Sequence, residues 1–313
     1  MLLPLIQLLV FPGLLFLAVI GLAGEFADRK LYARFQNRMG PPWFQPLADL
    51  IKLMAKEEVV PTEADRLLFT GAPAFALTSV VAAFLYIPVW GPGALLSFNG
   101  DAVVVLYLLT LPTFTYFLGG WFSRSVYAML GALRSLTQLF AYEVPLFLTV
   151  LGPCLLAGTW SLSELTRFFG AHPWALLANA VGFAMALISL MGKLEKVPFD
   201  IPEAETEIVA GSFTEYGGRF LAFFRLSFDI EMIVGASLLA AVFLPFGLQF
   251  GPVAGFALYL VKIFFIIAVI AFIRSAVARV RIDQMISLCW KVFAPVAFLQ
   301  VLVNLILKGV LFS

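Results

Sequence analysis

An all-α, polytopic membrane protein is the fold class this sequence predicts, and three observations predict it. Hydrophobic residues make up 62% of the 313 positions and charged residues only 12%. The mean hydropathy is +1.00, far from the balance of a soluble domain. Eight apolar runs each approach the roughly 20 residues that a helix needs to cross a bilayer. Finally, Lys and Arg crowd into alternate connections, as they do when one side of a bundle faces the cytoplasm.

The runs fall at about 3–24, 69–90, 101–120, 139–160, 174–192, 230–248, 254–273 and 291–311. The first lacks a basic leader and an obvious small-residue cleavage site, so it reads as a retained span. Pro12, Pro112 and Pro145 interrupt spans, which neighbouring helices tolerate by satisfying the freed carbonyl groups. Long, polar connections at about 25–68, 121–138, 193–229 and 274–290, with Lys291 at the edge of the last, carry seventeen Lys and Arg, against two, Arg167 and Lys308, on the other side. The positive-inside bias makes the long loops cytoplasmic and places both termini outside a plasma membrane. In the first of these loops Pro46 can open a helix. Leu47, Leu50, Ile51 and Met54 then share one face and Asp49, Lys52 and Lys56 another, which predicts an interfacial amphipathic helix. No internal repeat or second domain is visible, and 1–313 reads as a single integral membrane domain.

Composition also excludes several classes of function. A net charge of +1 without a basic face argues against a nucleic-acid partner. Cys154 and Cys289 are far apart and form no CxxC, so this chain cannot ligate an iron–sulfur cluster by itself. His172 is the only histidine, which leaves neither a zinc site nor a Ser/His/Asp triad. There is no Gly-rich phosphate loop.

The ionisable residues inside or beside apolar runs are the candidates for function. Glu143, in AYEVP, lies a few residues into the fourth run; it is either an ion-path carboxylate or an interfacial one. Lys262, in LYLVKIFF, lies inside the seventh run, where it needs a carboxylate partner or a neutral state. Asp229 and Glu231 stand where the sixth run begins. The densest group is KLEKVPFDIPEAETEIVAGSFTEYGGR, which holds Glu195, Asp200, Glu203, Glu205, Glu207 and Glu215. The interleaved Val197, Phe199, Ile201, Ile208 and Val209 favour folding of this stretch against the bundle over a solvated charge run. Glu203 and Glu207, four apart, would share a helix face and repel. Arg279, Arg281 and Asp283 form a rim that could face these acids.

Four ordered motifs resemble one known family across essentially the whole chain. They are ARFQNRMGPP with QPLADLIKLMAKE, RSLTQLFAYEVP, EKVPFDIPEAETEIVAGSFTEYGG, and RVRIDQMISLCWK. The family is the H subunit (subunit 1) of respiratory complex I, with its homologues in membrane-bound group 4 NiFe hydrogenases. The resemblance implies an eight-span subunit at the junction of a cytoplasmic redox arm and an ion-pumping membrane arm. By that resemblance Arg34, Gln36, Arg38, Asp49, Lys52, Glu57, Glu143, Asp200, Glu203, Glu205, Glu207 and Glu215 fall on junction or acidic-funnel positions. Asp283 and Lys291 match a further family motif, and Arg279, Arg281 and Asp283 are expected with the first-loop residues at the arm-docking junction. The compressed GPPWFQP resembles the hydrogenase-type branch; further departures are Phe228 in place of a family Glu, with Asp229 and Glu231 nearby, and Ala278 and Ile282 in place of a Pro and a Tyr. They weaken the case for a quinone headgroup pocket.

The implied function is that of a non-catalytic subunit coupling redox chemistry to proton or sodium translocation. The chain itself would hold no metal and no cofactor. Its expected partners are a NiFe-hydrogenase-like large subunit, an Fe-S small subunit, a ferredoxin-like Fe-S subunit and antiporter-like membrane subunits, all within a lipid bilayer. The alternative is the quinone-binding subunit of an NADH or related quinone oxidoreductase. A free-standing transporter would show inverted repeats and broken helices, and a plain structural anchor would use the acids only for docking.

Overall fold

The computed structural model describes residues 2–89, 91, 93–203, 205–247 and 251–311, and among these it is helical with no strand. In chain order the helices are α1 (Leu2–Leu9), α2 (Leu14–Phe35), α3 (Gln45–Met54), α4 (Arg66–Phe84), α5 (Asp101–Phe122), α6 (Val126–Ala157) and α7 (Leu162–Ala171). They continue with α8 (Trp174–Ala178), α9 (Ala180–Lys193), α10 (Glu205–Ile208), α11 (Gly218–Phe243), α12 (Pro252–Ala276), α13 (Ile282–Leu288) and α14 (Ala294–Leu311). A π-helical turn at Cys289–Phe293 joins the last two. Seven segments among the described residues are long and apolar enough to cross a membrane. A shorter apolar helix, α9, stands with α8 where the sequence predicts the fifth of eight spans.

Helix α11 is the centre of the bundle. From Ile230 to Phe243 every residue is buried, as an element that is apolar all round must be. Helices α2, α4, α9 and α12 pack around it, and α5 and α6 form a second layer with α14. Local signals set the ends. Asp65 caps α4 by accepting from the Leu67 and Leu68 amides at 3.1 and 3.3 Å, and Gly158 closes α6 at φ 73°.

Several boundaries differ from the hydropathy reading. Helix α2 runs on to Phe35, because the charges after Ala23 repeat at helical spacing; Glu25 and Arg29 pair at 2.6 Å across one turn. The inner loop expected at 121–138 is only 123–125, since α6 begins at Val126 and is 32 residues long. Lys193 ends α9, and Asp229 and Glu231 are the twelfth and fourteenth residues of α11, well inside a helix. The last inner loop contracts to 277–281. Helix α10 is a single turn beginning after Glu203, so Glu203 and Glu207 share no helix face. The amphipathic α3 forms where Pro46 predicts it.

Candidate functional site

The segment 194–217 is seated on the inner end of the bundle by backbone contacts. Gln138, buried on α6, donates to the Gly192 and Phe199 carbonyls at 2.7 and 2.8 Å. The Val280 amide donates to the Pro198 carbonyl at 3.0 Å. Helix α6 crosses the segment so closely that a Cβ on Gly131 would lie 2.5 Å from the Gly211 Cα, and Gly211 itself needs φ 54°. Further on, Tyr216 stacks on Phe69 with ring centroids 4.1 Å apart and donates to its carbonyl at 3.1 Å. The apolar residues Phe199, Ile201, Ile208 and Phe213 are buried, as the interleaving predicts, while Val209 is exposed.

Between this segment and helices α2, α3, α11 and α12 lies a cavity of about 370 Å³ in which eleven of seventeen lining residues are ionisable. Its floor is Asp28 of α2, fully enclosed, with Lys196 Nζ at 2.6 Å and Arg274 Nη1 at 2.5 Å. Two cations hold one buried carboxylate, which compensates the desolvation that a lone charge would suffer. The Arg274 guanidinium also lies 4.5 Å from the centre of the Tyr32 ring. At the rim Arg29 bridges Glu25 at 2.6 Å and Asp49 of α3 at 2.9 Å, and Gln45 donates to Asp49 at 2.8 Å. Glu203 pairs with Arg225 at 3.3 Å. Asp200 and Asp229 also line the cavity.

Deeper in the bundle Lys193 Nζ lies 3.2 Å from Glu231 Oε1, and both side chains are sealed. Tyr116 donates to the other Glu231 oxygen at 3.1 Å, and Lys193 donates to the Leu109 carbonyl. The Tyr142 ring lies 5.7 Å from Lys193 Nζ, and the Tyr142 hydroxyl meets Thr113 at 3.1 Å. Asp229 and Glu231 are two residues apart and so point about 200° apart on α11. The first faces the cavity and the second the ion pair.

Glu195 also lines the cavity; it is 6% exposed and accepts from the Ser135 hydroxyl at 2.5 Å, while its second oxygen has no hydrogen-bond partner among the described residues. Burial pushes its carboxyl up to about 8 from an ordinary 4.5; the Ser135 hydrogen bond opposes this, and the charges of Glu203, Glu231 and Asp200 add to it.

Other sequence candidates lie elsewhere. Glu143 projects from α6 into an apolar groove of about 500 Å³ beside Tyr107, Thr110 and Phe147, with one buried oxygen unpartnered. Lys262 has no carboxylate partner among the described residues; it donates to the Phe246 carbonyl and lies 4.6 Å from the centre of that ring. Glu207 is exposed, bound to Arg134 at 2.7 Å, and Arg134 holds its carboxyl below the usual range. Arg279 reaches Glu207 at 3.9 Å, the contact expected between the last inner loop and the acidic stretch. Arg34, Arg38, Lys52, Glu57, Arg281 and Asp283 are exposed, and Gln36 and Glu215 half-buried. The side chain of Glu205 lies outside the described ones.

Sequence reasoning missed Glu25, Asp28, Lys193, Lys196 and Arg274 as site residues. The one signal for them was the helical spacing of Glu25, Asp28 and Arg29, which carries α2 past its apolar run.

Fold and site together define a helical integral membrane protein with a charged vestibule, a buried carboxylate on its wall and an enclosed ion pair deeper in the bundle. Comparison with known proteins gives the particular group. The chain belongs to the NADH dehydrogenase family, whose model matches residues 6–305. It is 35% identical to the H subunit of the NADH-quinone oxidoreductase of Syntrophotalea carbinolica, over 97% of this chain and 96% of that relative. The corresponding protein of Thermomicrobium roseum is 39% identical over 88% and 87%. Subunit 8 of the Thermus thermophilus enzyme is 36% identical over 92% and 84%. Among solved structures, a chain of the membrane-bound sulfane sulfur reductase, an archaeal respiratory membrane complex, matches with a TM-score of 0.82 at 26% identity, over 93% of this chain and 96% of that one. The chain is thus a member of a family of membrane subunits of respiratory complexes.

Proposed function

We propose that this chain is the non-catalytic subunit that couples redox chemistry in a docked cytoplasmic arm to proton or sodium translocation. The observation that carries the reading is the burial of Glu195, which lines the charged vestibule and is close enough to Glu231 to feel its charge. A change of charge or conformation at the vestibule alters the proton affinity of Glu195. Its altered charge then acts on Glu231, and Glu143, about two turns further along α6 from Ser135, continues the route. Only a differential interaction with two states of the arm can drive this. The partners are then a NiFe-hydrogenase-like or related catalytic arm with its Fe-S subunits and antiporter-like membrane subunits. The plasma membrane and outward termini follow from the Lys and Arg distribution.

The names of the sequence relatives favour a second reading, a quinone-binding subunit. The seven acids and four bases that line the vestibule support the coupling reading over this one, because an apolar chain buried against those groups would strip water from them. Glu195→Gln in the assembled complex should leave electron transfer intact and abolish the ion gradient formed per electron. An unchanged gradient at full assembly would remove the coupling reading.

A further inference from the structure

Glu195 stands where a helix ends. Helix α9 closes with two backbone hydrogen bonds, from the Glu195 amide to the Gly192 carbonyl at 3.3 Å and from the Lys196 amide to the Met191 carbonyl at 3.2 Å. In this closure the left-handed position is usually a glycine. Here it is Glu195, at φ 48°. A residue with a Cβ takes that conformation at a cost, and this one also brings a carboxyl group into a buried site. Ending the helix explains neither, since a glycine would close α9 without the strain and without the buried acid.

Helix α6 meets the turn with two side chains about one helical turn apart. Gln138 donates to the carbonyls of Gly192 and Phe199, one on each side of Glu195. Ser135, wholly buried, donates to Glu195 Oε1 at 2.5 Å. The first contact pins the backbone and the second the carboxyl group. The surrounding cations are engaged with other acids: Lys193 with Glu231, Lys196 and Arg274 with Asp28, Arg225 with Glu203, and Arg29 with Glu25 and Asp49. Asp200 and Asp229, which also line the cavity, bring like charge. Among the described residues the Ser135 hydroxyl is therefore the one donor that this carboxyl group meets.

We propose that Ser135 is a positioning residue for Glu195, holding Oε1 so that Oε2 is the oxygen that takes and releases the proton. Oε2 is buried and accepts no hydrogen bond among the described residues. A negative charge left there without a donor is penalised, so the proton is bound at that atom. The hydrogen bond to Oε1 favours the ionised form, so Ser135 also keeps the group able to lose its proton. That proton is the one moved in the coupling reading, on which the inference rests.

The test follows the Glu195 carboxyl by infrared difference spectroscopy on the intact complex, titrated from about pH 6 to 10. Its carbonyl stretch is assigned by its loss in Glu195→Gln. In the wild type the band should titrate with a midpoint of about 8, at the lowered frequency of a carbonyl that accepts a hydrogen bond. Ser135→Ala should bind the proton about tenfold more tightly, a rise of about one pH unit in the midpoint, and move the band up to the frequency of a free acid. Ser135→Thr keeps the hydroxyl and should restore both. An unchanged midpoint or band in Ser135→Ala overturns the proposal. So does a free-acid carbonyl in the wild type, which would place the proton on Oε1; that measurement decides even should Ser135→Ala fail to assemble. The coupling reading fails separately, because an unchanged ion gradient in Glu195→Gln would remove it and leave the Ser135 assignment standing.

Discussion

Lys193 Nζ and Glu231 Oε1 face each other at 3.2 Å with both side chains shut away from solvent. Such a pair is weak evidence for stability as a unit, yet removal of one partner strands the other charge in the bundle. Glu231→Gln or Lys193→Met should therefore each destabilise the chain by about 3–5 kcal/mol. Replacing both with apolar residues of similar volume should recover most of the loss. A double-mutant cycle on thermal unfolding in detergent measures the coupling, and additive single losses would contradict it.

Glu195 sets a pH dependence with a definite sign. Its folded pKa, about 8, is above its ordinary 4.5. Between those values the folded chain holds a proton that the unfolded chain has released. Stability is therefore highest near the lower limit and falls as pH rises toward 8, by up to on the order of 4 kcal/mol. Glu195→Gln should flatten that slope and stabilise the chain above pH 8. Melting temperatures from pH 5 to 9 check this; an unchanged slope in the variant would assign it to another group.

Asp28 and Glu207 illustrate how burial decides what an ion pair contributes. Asp28 is enclosed between Lys196 and Arg274, so Asp28→Asn should cost about 3 kcal/mol or more and disorder the vestibule. Glu207 is exposed on Arg134, so Glu207→Gln should leave the melting temperature unchanged within error. Parallel melts of the two variants give the comparison.

These cases also show what the sequence could disclose. The helical membrane class and the amphipathic α3 followed from hydropathy and Pro46, because each is a property of one segment. The Asp28 site unites α2, the turn after α9 and the end of α12, and periodicity within a segment carries no information about which helix lies opposite. Asp229 and Glu231 looked interfacial because the hydropathy of α11 is depressed by its own charged first half. The structure places both deep in that helix, about 200° apart on its surface. Glu195 was visible as one acid among six, but its burial depends on Ser135 and the close crossing at Gly131.

That crossing offers a direct check on how the acidic segment is seated. A Cβ at position 131 would meet the Gly211 Cα at 2.5 Å, closer than packed atoms approach. Gly131→Ala should therefore push the segment off α6 and expose 194–217 to protease, while the transmembrane bundle keeps its helical circular dichroism. Unchanged cleavage would mean that the segment is held chiefly by the Tyr216–Phe69 stack.

Glu143 tests the far end of the proposed route. Its carboxyl faces an apolar groove and leaves one oxygen without a hydrogen-bond partner among the described residues, so the loss of its charge should disturb folding little. Glu143→Gln keeps the shape and one acceptor, and should leave assembly and stability within about 1 kcal/mol of wild type. If the proton route includes this carboxylate, the variant should sustain electron transfer but lose redox-driven ion gradients in proteoliposomes. Glu143→Asp should retain part of them, since it restores the titrating group at a shorter reach. Intact gradients in the Gln variant would confine the route to Glu195 and Glu231 and leave Glu143 as a packing residue.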